Sequence, residues 1–95
     1  MTGERIGTVT HFYNRICVAV LELERDLHVG DTIHFLGRHT DFKQQVQSME
    51  IEHQPITEAS PGQEVAVKVD RRVRRGDRLY LVTEDVGTPW ERYAG

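Results

Sequence analysis

The sequence predicts an all-β domain, a barrel or sandwich of six or so short strands. Three observations carry this. Apolar residues recur at period two, as in Met49/Ile51 and Val65/Val67/Val69, which gives a strand one buried and one wet face. Turn signals fall at short intervals between such runs: Val29-Gly30-Asp31, Pro61-Gly62 and Arg75-Gly76-Asp77. No segment offers a long amphipathic helix.

In chain order, Ile6 to Phe12 is rich in Thr, Val, Ile and Phe and reads as the first strand. Tyr13-Asn14-Arg15 is a short connection. Ile16 to Leu23 is apolar on both faces through Leu21, the pattern of a strand covered on both sides, and it would bury Cys17 as an inert thiol. Leu27 to Asp31 turns into a strand from Thr32 to Leu36, and Gly37 to Asp41 is a polar loop. Phe42 and Val46 share one strand parity, whereas Met49 and Ile51 take the other. All four reach one core only if the strand bulges or breaks near Gln47-Ser48. Ser48 to Val69 reads as strand, long loop, tight turn and strand, with Pro55 ending the pairing because it has no N–H to give. Asp77 to Val82 is the last strand. The Gly30-Asp31 and Gly76-Asp77 turns are one local device used twice. Residues 1–83 form the domain and residues 84–95 a tail, whose Trp90 and Tyr93 are expected to dock on it.

Ninety-five residues with a formal net charge of −3 make one small domain without a global basic field. The single cysteine excludes an intrachain disulfide and fits a reducing compartment. With no signal peptide and no apolar run of transmembrane length, a cytoplasmic protein without membrane contact is expected.

Ser48-Met49-Glu50-Ile51-Glu52-His53, followed by Ala59-Ser60-Pro61-Gly62 and Val65, resembles the second domain of translation GTPases of the elongation factor Tu type. The Val29-Gly30-Asp31 turn and the Val73-Arg74-Arg75-Gly76-Asp77 run fit the same order and spacing. The likeness covers about Ile6 to Val82. The longer first hairpin is also similar to the C-terminal barrel of the U32 peptidase-like family, whose members are linked to RNA modification. The resemblance implies a closed antiparallel Greek-key barrel of six to seven strands. It also implies that Glu50 matches the glutamate that lies beside the terminal adenosine of aminoacyl-tRNA. The family's following basic residue falls at His53, and its asparagine at Glu64.

The sequence has no G-x-x-x-x-G-K-[ST] loop, so no GTP binding is expected. The densest charge is Lys68 to Arg78. Lys68, Arg71, Arg72, Arg74, Arg75 and Arg78 against Asp70 and Asp77 leave that run at +4 and the remaining chain at −7. Arginine forks hold phosphate oxygens, so these six residues, with Glu50 and His53, are the candidate RNA-binding set. A solvated turn with local Arg–Asp pairs is the plain alternative. His11, His28, His34, His39 and His53 lack metal-ligand spacing, and no nucleophile motif appears. The expected protein is therefore a non-enzymatic module without metal or cofactor, bound to RNA or the ribosome. The alternative is a protein adaptor that docks a separate GTPase or U32-like enzyme.

Overall fold

The structure, a computed structural model, describes residues 2–82. The expected tail, with Trp90 and Tyr93, lies outside the described residues. These fold into ten strands and no helix: β1 Thr2–Tyr13, β2 Val18–Leu23, β3 Leu27–His28, β4 Thr32–Leu36, β5 Asp41–Gln45, β6 Met49–Ile51, β7 Gln54–Ile56, β8 Glu58–Ala59, β9 Glu64–Lys68 and β10 Arg78–Val82. Eight of them form one sheet in the order β5-β4-β10-β1-β2-β9-β6-β7, and β3 pairs with β8 in a two-stranded ribbon. Every ladder is antiparallel.

The all-β expectation holds, but closure does not. β5 and β7 are the edges of the large sheet and share no ladder. The gap is spanned by isolated backbone bonds: the Val29 N–H donates to the Thr57 carbonyl at 2.9 Å, and that of Gly30 to Val46 at 2.8 Å. β1 pairs with β10 through residues 2–8 and with β2 through residues 7–13, and its register shifts along both ladders, each irregularity bending the strand.

One apolar core fills the concave side. Ile6, Val9, Ala19, Leu21, Ile33, Phe35, Met49, Val65, Val67 and Leu79 are its fully buried residues from the large sheet, and Leu27 joins them from the ribbon. The parity switch is resolved as expected. β5 stops at Gln45 and β6 starts at Met49, so Val46 and Met49 are both buried while Phe42 and Ile51 pack against the same core.

The two Gly-Asp turns have the same geometry. Asp31 accepts the His28 N–H through Oδ2 at 2.9 Å, and Asp77 accepts that of Arg74 at 2.8 Å. The Asp31 and Asp77 backbone N–H groups donate back to the carbonyls of His28 and Arg74. Gly30 and Gly76 supply the left-handed residue, with φ of 101° and 93°.

Three local expectations are corrected. The long loop after Ile51 contains β7 and β8, and Pro55 is a strand residue opposite Glu50. Proline is tolerated there because β7 is an edge strand, so no ladder requires its N–H. Cys17 is not buried: the first hairpin turns over residues 14–17, leaving Cys17 exposed with φ 54° and Ile16 58% exposed. β2 is covered on one face only, because Ala19 and Leu21 are buried while Val18 and Val20 remain half-exposed.

Candidate nucleic-acid interface and outer groove

The basic run leaves β9 at Lys68 and reaches β10 at Arg78. Its path is fixed from beneath by the buried side chains of Val69, Val73 and Asp77. Gln44 of β5, itself buried, anchors the start of the run. Its Nε2 donates to the Lys68 carbonyl at 3.0 Å, and its Oε1 accepts the Asp70 N–H at 2.7 Å. Asp77 anchors the end through the Arg74 N–H. With the apolar and acceptor groups turned inward, Lys68, Arg71, Arg72, Arg74, Arg75 and Arg78 are all exposed.

Tertiary structure adds residues that sequence reasoning missed. The β4–β5 loop brings Arg38 and His39 beside Arg74, Arg75 and Arg78, and these five surround one open depression of about 490 Å³. Its floor carries Gly37, so close to Asp77 that a β-carbon there would stand 2.0 Å from the carboxylate oxygen. On the far side of Arg74 and Arg75, His11 and Arg72 line a second depression. Arg71 takes another course and lies over the Phe42 ring, 6.0 Å from its centroid. The sequence signal for Arg38 and His39 is their basic character within the polar Gly37–Asp41 loop.

No cation of this set forms an ion pair among the described residues. The ion pairs found there are Arg5–Glu24, Arg25–Glu4, His28 with Asp31 and Glu58, and His34–Asp41. The local Arg–Asp pairs that would make the run an inert solvated turn are therefore not formed. Asp77 lies beneath the arginines, but its Oδ2 is engaged by a backbone N–H.

Glu50 and His53 do not join this surface. They line an outer groove of about 780 Å³ over β2, β9 and β6, together with Val18, Val20, Ile51 and Ala66. Val20, Ala66, Glu50 and Pro55 stand side by side on adjacent strands. Glu22 faces Glu64 one pleat further along. Glu52 and His53 form the two-residue β6–β7 turn with φ of 51° and 67°. The sequence signal for this groove is the second apolar face of β2, which stays half-exposed at Val18 and Val20.

Among the described residues no group of three or more His, Cys, Asp or Glu side chains is placed to hold a metal ion. Likewise, no helix there is long and apolar enough to cross a membrane.

The fold defines the class of domain. The chain superimposes on the C-terminal domain of a candidate U32 peptidase from Geobacillus thermoleovorans with a TM-score of 0.80, covering 84% of this chain and 93% of that one at 22% identity. The selenomethionine form of the same domain gives 0.78 over 81% of this chain and 98% of that one, also at 22% identity. At that identity the likeness is one of fold.

Sequence relatives agree. An uncharacterized protease of Methanocaldococcus jannaschii is 43% identical over 82 residues, 85% of this chain and 20% of that protein. A collagenase of Porphyromonas gingivalis is 34% identical over 77 residues, 79% of this chain and 21% of that protein. The chain thus spans about a fifth of the length of the curated relatives it matches. No family model matches the sequence. The solved structures support the U32 side of the resemblance in fold; the translation-factor side gains no support from the comparisons.

Proposed function

We propose that the chain is a non-catalytic recognition module of the U32 C-terminal type, and that it holds RNA by its phosphate backbone at the arginine end. One observation carries this reading. Arg38, His39, Arg74, Arg75 and Arg78 come from two loops and the first residue of β10 to one depression and have no carboxylate partner among the described residues. Guanidinium groups without a carboxylate partner among the described residues keep their bidentate donors for phosphate oxygens. No Phe, Tyr or Trp lines that depression, and His39 is its one ring, which favours contact to phosphate over a base-stacking platform.

The test is fluorescence anisotropy with a labelled single-stranded RNA at low and moderate salt. The combined variant Arg38→Gln, Arg74→Gln, Arg75→Gln, Arg78→Gln should lose binding while its melting curve stays intact. Each phosphate that is no longer neutralised should lower the salt slope by about 0.7. Unchanged affinity in the folded variant would remove the arginine end from the reading.

A second reading, the protein adaptor that docks a separate U32-like enzyme or GTPase, is favoured by the outer groove. Half-exposed Val18, Val20 and Ala66 offer apolar area that phosphate recognition does not use. Weak salt dependence and capture of protein after nuclease treatment would favour it.

A further inference from the structure

We propose that the outer groove over β2, β9 and β6 docks an extended peptide segment in which aliphatic side chains alternate with lysine or arginine. This builds on the domain being a recognition module and is independent of RNA binding. The floor is aliphatic: Val18, Val20 and Ala66 lie on the outward face of paired strands, and Ile16 rises beside them, 58% exposed. Such a strip seeks cover, yet β2 and β9 are interior strands whose backbone groups are already paired. An occupant must therefore bind through side chains laid across the face rather than by adding a strand.

Charge selects the occupant. Glu22, Glu50, Glu52 and Glu64 rim the floor, all exposed and none in an ion pair among the described residues. Glu22 and Glu64 are direct cross-strand neighbours, an arrangement that destabilises a sheet until a cation lies between them. An anionic partner would be repelled here, and so would an acidic lipid surface. A second copy is a poor fit, because its one concentrated basic run exposes charged side chains while Val69 and Val73 stay buried. That run could meet the rim but has no aliphatic side chain to cover the floor. A lysine-flanked aliphatic segment satisfies both.

The probe is a blocked heptapeptide of alternating lysine and valine, titrated into the isotope-labelled 95-residue chain and followed by NMR chemical shifts. A lysine–serine peptide and a glutamate–valine peptide are the controls. Saturable shifts centred on Val18, Val20, Glu50 and Ala66 are expected with the first peptide alone. Glu22→Gln with Glu64→Gln should weaken it about tenfold, two exposed charge pairs being removed. Because that change relieves a repulsion, unfolding does not explain the weakening. The four-arginine variant should bind the peptide normally, so failure of the RNA reading and failure of this one are separable. Equal binding of the lysine–serine peptide, shifts mapping elsewhere, or no saturation in the millimolar range would overturn the proposal.

Discussion

Gly37 and Asp77 meet so closely that the buried Asp77 carboxylate occupies the space a side chain on residue 37 would need. The contact joins the β4–β5 loop, which supplies Arg38 and His39, to the turn before β10, which supplies Arg74 and Arg75 and leads into Arg78. Gly37→Ala should force Asp77 off the Arg74 N–H and destabilise the domain by about 1–3 kcal/mol. In an Asp77→Ala background the same substitution should cost much less, since the obstructing oxygens are gone. Denaturant melts of the four proteins in the cycle measure this coupling, and additive effects would mean that the two residues do not meet.

Gln44 reaches from β5 to both Lys68 and Asp70, 24 and 26 residues away in sequence. Gln44→Leu keeps the volume but leaves a carbonyl and an N–H without their partners, so stability should fall by about 1–3 kcal/mol. Amide hydrogen exchange should accelerate at Asp70 and through the basic run, while β1 and β2 keep their protection. Uniform acceleration across the domain would indicate general destabilisation instead of a released anchor.

Cys17 is exposed in a left-handed conformation that a side chain disfavours. Its thiol should react with a maleimide under native conditions as readily as in denaturant, whereas a core thiol would be protected. Cys17→Gly should stabilise the hairpin by about 1 kcal/mol through relief of that strain. A lower melting temperature for the glycine variant would show that the thiol contributes packing.

Glu64 lies directly opposite Glu22. Glu64→Lys turns a like pair into an opposite one and should raise stability by about 0.2–1 kcal/mol in thermal melts at low salt, the gain shrinking as salt is added. It should also weaken binding of the lysine–valine peptide about tenfold, since it shifts the groove charge by the same two units as the paired glutamine substitutions. A stability gain insensitive to salt would point to propensity rather than charge.

The turns most legible in the sequence were those whose chemistry is local. Gly30-Asp31 and Gly76-Asp77 each place a left-handed glycine before an aspartate that binds a backbone N–H three residues back, so four consecutive residues specify the turn. The break between Val46 and Met49 was legible for a similar reason: strand parity alone demands it. The β6–β7 hairpin was not legible. Glu52 and His53 adopt left-handed conformations without glycine or asparagine, and Pro55 resembles a strand breaker until its strand is known to be an edge.

By itself the sequence determined the all-β class, the parity of the strands and the charge of the Lys68–Arg78 run, because period-two burial and turn chemistry act over a few residues. Only the tertiary structure decided which strands became edges and that Cys17 faces outward. It alone brought Arg38 and His39 to Arg74, Arg75 and Arg78, and left Val18 and Val20 beside Ala66 on a face that no other described strand covers. The physical reason is that an apolar strand pattern records that a face prefers cover, while the strand order decides whether anything in the chain covers it. Likewise, a loop's charges become a binding surface only when another loop, far off in sequence, is folded against them.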